Sequence, residues 1–222
     1  MPGEPKSIAI IGGTGAEGSG IALRLAKAGY RVIIGSRDAA KAAKAAQDLG
    51  RISAQAQISG ADNKTAAAEA EIAILTVPYA AQRESVEEIR AALVGKILID
   101  ATAPLVPPRV NRVQLPPGGS AVAAIQALLG DTVRVVSAFQ NVPAEKLKQL
   151  DAPVDCDVLV CADDAAARQS VIALVDTMGL RGIDAGPIGN SAAAEALTSV
   201  LIWINRKYGV PGAGIRIAGL KA

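Results

Sequence analysis

The chain has 222 residues, half of them hydrophobic and 20% charged, with a formal net charge of +2. That is a globular composition, without the polarity of a disordered chain or the basic excess of a nucleic-acid binder. There is no histidine, and Trp, Tyr and Phe make up only 2%, which excludes Ser-His-Asp and Cys-His catalysis, imidazole metal sites and aromatic base-stacking platforms. The N-terminal stretch Met1 to Ser7 is polar and lacks the basic start and small-residue cleavage site of a signal peptide. Apolar stretches such as Val200–Ile204 are far too short to span a membrane. Cys156 and Cys161 read as buried strand thiols, too few for a structural zinc site, and a reducing cytoplasmic location is expected.

Taken in chain order, strands are predicted at about 7–12, 31–35, 56–58, 71–76, 96–101, 133–138, 156–162 and 180–185. Helices are predicted at about 16–29, 38–49, 63–70, 79–94, 119–129, 143–149, 164–178 and 189–208. Ile8–Ile11, Val32–Ile34 and Ile72–Val77 are continuously apolar, the pattern of a parallel sheet covered on both faces. The expected fold is therefore α/β: a Rossmann-like, doubly wound, mostly parallel sheet with a small C-terminal α/β lobe. Residues 1–130 are expected to form the nucleotide-binding domain. Residues 131–222 would extend the sheet and supply the substrate cleft and a dimerisation helix. Ala103–Gly119, with five prolines, reads as a surface loop at the ligand edge. The last helix is apolar on nearly every side, so it should be buried in its own domain or in a symmetric dimer.

The strongest motif follows the first strand. Gly13, Gly15 and Gly18 match G-x-G-x-x-G between a strand and a helix, the arrangement that brings backbone N–H groups and a helix N-terminus against a pyrophosphate. At the end of the second strand an NAD-binding chain would place an acid. Ser36 and Arg37 stand there instead and suit a 2′-phosphate, which selects NADP. Asp38 reads as the cap of the next helix, and Lys41 in its first turn is a cation that a phosphate would compensate. Pro78 ends the fourth strand beside the expected nicotinamide position, and reads equally as a plain terminator. Gln140 and Asn141 both donate and accept, so they suit a carboxamide or heterocyclic edge; Asn141 also suits a cap for the helix opened by Pro143.

Gly12-Gly13-Thr14-Gly15, Gly35-Ser36-Arg37 with Lys41, Leu75-Thr76-Val77-Pro78, Ser137 to Ala144, Asp157 to Cys161, Asp184-Ala185-Gly186-Pro187 and Gly212-Ala213-Gly214-Ile215 form an ordered set. Together they resemble the NADPH-dependent coenzyme F420 reductases, or 8-hydroxy-5-deazaflavin:NADP oxidoreductases, over Ile8 to about Ile217. The resemblance implies reversible hydride transfer between coenzyme F420 and NADP in a Rossmann-type homodimer. It also implies roles for residues. Thr14 and the backbone of Gly15, Ala16 and Glu17 would hold phosphates, and Ser36, Arg37 and Lys41 the 2′-phosphate. Pro78, Val106 and Ala144 would line the cofactor, with Ala213 near the deazaflavin. Members of that family carry His-Thr where this chain has Gln140-Asn141, which puts the substrate-side hydrogen bonding in question.

Such a reaction runs on two stacked rings, so no side chain is assigned as a catalytic acid or base. Ala101, Ala103, Ala138, Ala144 and Ala213 would make room for the rings, and Arg109, Arg112 and Arg216 are candidate cations for an acidic tail or simply solvated charges. Two other readings stand beside this one. A pyrroline-5-carboxylate or imine reductase would share Asn141-Val142-Pro143-Ala144 but carry an all-helical second domain, and a non-catalytic NADP sensor would need no further site. Neither a metal nor a nucleic-acid or membrane partner is expected.

Overall fold

The structure is a computed structural model that describes residues 7–52 and 56–220; the polar start of the chain, residues 1–6, lies outside them. The first half runs β1 (Ser7–Ile11), α1 (Ala16–Lys27), β2 (Arg31–Ser36), α2 (Ala39–Gly50), β3 (Ile58–Asp62), α3 (Asn63–Glu69), β4 (Ile72–Leu75), α4 (Tyr79–Leu93) and β5 (Ile97–Asp100). The second runs α5 (Ala121–Leu129), β6 (Arg134–Ser137), α6 (Ala144–Leu147), β7 (Asp157–Val160), α7 (Ala165–Thr177), β8 (Arg181–Asp184) and α8 (Ser191–Tyr208).

Six strands form one parallel sheet in the order β3-β2-β1-β4-β5-β6. Alternate residues of a strand face opposite ways, and here both faces are covered. Ile8 and Ile10 of β1 pack with Ile21 and Leu25 of α1, whereas Ala9 and Ile11 pack with Val86 and Ile89 of α4. This is why β1, β4 and β5 carry no polar alternation. The strand order reverses between β1 and β4, which opens a crevice at the carboxyl ends of the strands. The remaining strands, β7 and β8, form a separate parallel pair, and an antiparallel bridge between Ser137 and Cys161 joins β7 to β6. That strand pair is the feature expected to distinguish this chain from one with an all-helical second domain. Both cysteines are free and buried. No helix of the described residues is long and apolar enough to cross a membrane.

One sequence expectation needs correction. The third strand lies at Ile58–Asp62 rather than 56–58. Its Ser59, Gly60 and Asp62 give no apolar signal, because it is the edge strand and α2 lies directly on it: a Cβ on Gly60 would collide with the carbonyl of Ala42. Within one protomer the last helix is not buried all round, which leaves burial against a second copy as the open alternative. Its inward face is partly polar, with Ser191, Glu195 and Ser199 buried, while Val200 is 42% and Trp203 55% exposed. Glu195 turns that face inward because it receives the N-terminus of α5: its carboxylate accepts from Ser120 Oγ (2.6 Å), Ala121 N (2.7 Å) and Val122 N (3.2 Å). A buried carboxylate at a helix N-terminus is held by the free N–H groups and the helix dipole together.

A second buried ion fixes the other side of the crevice. Arg24 of α1 donates through Nε to Leu147 O (2.9 Å), through Nη1 to Met178 O (3.1 Å) and through Nη2 to Lys146 O (3.2 Å) and Gln149 O (3.0 Å). α6 also lies close on α1, since a Cβ on Gly20 would stand 2.6 Å from Leu147 Cβ. The segment that carries Ala144 is thereby held against the helix that follows the glycine turn.

Candidate functional site

The crevice is a cavity of about 690 Å³ bounded by the loops after β1, β2, β4, β5 and β6, with α8 on the far side. At its near end the chain turns sharply after β1: Gly13 N donates to Ile10 O (3.1 Å) and Gly15 N to Gly12 O (3.2 Å). Gly12 has φ +77°, and a Cβ there would stand 2.7 Å from Val77 Cγ1. The G-x-G-x-x-G match on Gly13, Gly15 and Gly18 leaves out Gly12, whose backbone conformation is one that L residues rarely adopt. Gly18 is the close-packing glycine, because a Cβ would meet Thr76 Oγ1 at 2.6 Å and Gly13 Cα at 2.7 Å. Gly15 begins α1 without any side-chain cap. The first N–H groups of the helix, beside Thr14, Ala16 and Glu17 in the cavity wall, therefore offer donors and a positive dipole end to an anion.

Ser36 and Arg37 lie in the same wall. Asp38 caps α2, accepting from Ala40 N (3.0 Å) and Lys41 N (3.2 Å), and its own N–H donates to Ser36 Oγ (3.2 Å). Lys41 stands outside the cavity on the first turn of α2, its exposed Nζ 4.0 Å from Asp38 Oδ2. Pro78 both starts α4, where Ala81 N donates to its carbonyl (2.8 Å), and lines the cavity.

The far end is formed by Ala144, Gln140, Asn141 and Ala213 with α8. Of the small residues, Ala101, Ala103, Ala144 and Ala213 line the cavity, while Ala138 is buried behind it. Val106 is exposed and outside the cavity lining; its neighbour Leu105 takes that place. Asn141 is buried with its amide spent on the protein, since Nδ2 donates to Asp157 O (2.6 Å) and Oδ1 accepts from Leu159 N (3.5 Å). Arg109 and Arg112 are exposed, but Arg216 is engaged by Asp155 (3.1 Å) and Asp157 (3.0 Å). Asp157 is the anchor of the C-terminal segment, also taking Arg181 (2.6 Å) and Ile217 N (2.7 Å), and the Arg181 guanidinium holds its carboxyl below the usual range.

The floor of the cavity rests on a residue outside the sequence motifs. Asp100, at the end of β5 and fully buried, accepts from Gln82 Nε2 (2.7 Å) through Oδ2 and from Thr102 N (2.9 Å) through Oδ1, and its carbonyl accepts from Gln140 Nε2 (2.7 Å). Burial raises its pKa to about 6, and Glu195 adds to the rise. Glu17, which lines the cavity opposite, is raised to about 8 by desolvation and by the Asp100 charge. The available signal was an acid closing an otherwise apolar strand, Ile97–Asp100, at the ligand edge.

A parallel sheet of this order, with a glycine turn opening an uncapped helix and Ser-Arg at the next strand end, defines a Rossmann-type dinucleotide-binding protein. The model of the family described as NADP oxidoreductase, coenzyme F420-dependent, matches residues 7–104. The F420-dependent NADP reductase of Methanocaldococcus jannaschii is 43% identical over 222 residues, covering 96% of this chain and 99% of the relative. A solved structure from Arthrobacter sp. FB24, assigned provisionally to the F420-dependent NADP reductases, is 28% identical with a TM-score of 0.80, covering 96% of this chain and 99% of its own. A pyrroline-5-carboxylate reductase from Coxiella burnetii, at 17% identity and a TM-score of 0.55, covers 82% of this chain and 60% of its own, and shares the fold alone. The chain belongs to the coenzyme F420-dependent NADP oxidoreductase family.

Proposed function

We propose that the protein transfers a hydride between NADP(H) and coenzyme F420 in this cleft. The observation that carries the reading is that one continuous cavity joins the uncapped α1 N-terminus and Ser36-Arg37 to a second compartment around Gln140 and Ala213, in a chain 43% identical to a reductase of that name. When bound, the two rings would supply the redox chemistry, a hydride (one proton with two electrons) passing between C5 of the deazaflavin and C4 of the nicotinamide.

The protein's part is to bind, align and keep water out. Backbone N–H groups from Thr14 to Glu17 hold the pyrophosphate, and Ser36, Arg37 and Lys41 hold the 2′-phosphate. Pro78 and Ala144 flank the nicotinamide, and Ala213 with Gln140 borders the deazaflavin. Residues 1–130 serve as the nucleotide half and residues 131–222 as the half that closes the cleft. The outward Val200 and Trp203 of α8 pair with a second copy, giving a homodimer, and the two free thiols suit a reducing cytoplasm.

The test is to mix the protein with NADPH and oxidised F420 and follow the visible absorbance of the deazaflavin. Loss of that band at the rate of NADPH oxidation is expected. A protein that binds NADPH and leaves the band unchanged refutes the proposal.

A further inference from the structure

Most buried polar side chains find a partner, so those that do not mark places where a fold gives up stability. Among the described residues, Asn63, Thr102 and Gln140 of the cavity lining each carry one such atom, and the last two are tied to the same aspartate. Thr102 is 3% exposed and Gln140 4% exposed, both line the cavity, and neither Thr102 Oγ1 nor Gln140 Oε1 has a hydrogen-bond partner.

Both residues are nevertheless held firmly. Thr102 N donates to Asp100 Oδ1 (2.9 Å) and Gln140 Nε2 to the Asp100 carbonyl (2.7 Å), so one buried aspartate orients the pair. From α8, Thr198 Oγ1 donates to Gln140 O (2.7 Å). The preceding residue, Phe139, is buried with φ +80°, a conformation that a bulky side chain adopts only when its surroundings impose it. Because Nε2 donates to the Asp100 carbonyl, Oε1 is the accepting end of the Gln140 amide, and the Thr102 hydroxyl is free to donate.

We propose that Thr102 and Gln140 together read a planar amide edge, an N–H next to a C=O, with the ligand N–H donating to Gln140 Oε1 and Thr102 Oγ1 donating to the ligand carbonyl. This rests on the reading that NADP(H) and a deazaflavin meet in the cleft. The two sources of such an edge there are the nicotinamide carboxamide and the pyrimidinedione ring of the deazaflavin. Asn141, with its amide spent on β7, takes no part.

The test measures dissociation constants of NADPH, its 3-acetylpyridine analogue and oxidised F420 for the wild type, Thr102→Val and Gln140→Met, with melting temperatures alongside. Thr102→Val removes only the unpartnered hydroxyl and keeps the backbone bond to Asp100. It should therefore leave the melting temperature unchanged or raise it, while weakening one ligand about fivefold to tenfold. A merely structural hydroxyl would lower the melting temperature and leave affinity alone.

If NADPH is the ligand weakened, the edge is the carboxamide. Gln140→Met should then cost nothing further with the acetylpyridine analogue, which has no amide N–H, whereas Thr102→Val should weaken that analogue too. If only F420 is weakened, the edge is the pyrimidinedione. Affinities within twofold of wild type for all ligands in both variants overturn the proposal. A wild type that binds neither NADPH nor F420 instead overturns the functional reading beneath it.

Discussion

Replacing Glu195 by Gln tests whether the inward turn of α8 is held by its carboxylate. In the wild type the two carboxylate oxygens accept three bonds from the first turn of α5: Ser120 Oγ at 2.6 Å, Ala121 N at 2.7 Å and Val122 N at 3.2 Å. Glutamine keeps the shape but offers one accepting oxygen. Whichever way its amide is turned, at least one buried N–H or O–H of α5 faces an NH2 group and goes unpaired.

An unpaired buried donor costs about 1–3 kcal/mol, and losing the negative charge at the helix N-terminus adds about 0.3–1 kcal/mol. Relief from burying a charge offsets part of this, leaving a net loss of about 2 kcal/mol. For a chain of this size each kcal/mol lowers the melting temperature by about 2–4 °C. Glu195→Gln should thus melt about 4–8 °C lower than wild type in a calorimetric or dichroism scan. A melting temperature equal to or above that of wild type would refute the argument, because it would mean that the buried charge costs more than its bonds return.

Arg37→Met should lower the preference for NADPH over NADPH's 2′-dephospho form, NADH, about tenfold to a hundredfold, read as the ratio of their dissociation constants; an unchanged ratio would remove Arg37 from the 2′-phosphate. Gly18→Ala should weaken NADPH binding more than tenfold, since its Cβ would press on Gly13 Cα and Thr76 Oγ1 and push α1 off the turn; near-normal affinity would show that the helix start has room. Glu17 and Asp100 have pKa values raised from 4.5 to about 8 and from 3.8 to about 6. The folded state therefore binds these protons more tightly than the unfolded one. Their contribution to stability is full below about pH 4 and is lost as pH rises through 6 and then 8. Melting temperature should fall across that window, and Glu17→Gln should flatten the upper part; the same slope in the variant would contradict the assignment.

The parts of the fold that local chemistry dictates were readable in the sequence. Ile8–Ile11 and Ile72–Leu75 are buried on both faces and say so in their unbroken apolar runs, and Asp38 caps α2 as its position before an Ala-rich stretch requires. What was not readable depends on partners far away along the chain. Nothing near Gln140 shows that its amide will be tied to a carbonyl 40 residues earlier, or its carbonyl to a hydroxyl 58 residues later. Likewise α8 reads as apolar all round until Glu195 is seen to meet an α5 start 74 residues before it. The edge strand β3 is not legible in the sequence because its residues answer to α2 lying on them, not to a core around them.

The outward position of Trp203 gives the molecule a built-in optical reporter. It is the single tryptophan of the chain, sits half-exposed on the outer face of α8, and is absent from the cavity lining. Its emission should therefore be that of a hydrated indole in an isolated protomer and shift to shorter wavelength when a second protomer covers that face. A dilution series of the unlabelled protein would then trace self-association without a dye. Thr198, five residues earlier on the same helix, bonds to the Gln140 carbonyl, so that signal also shows whether loading the cleft is felt on the opposite side of α8.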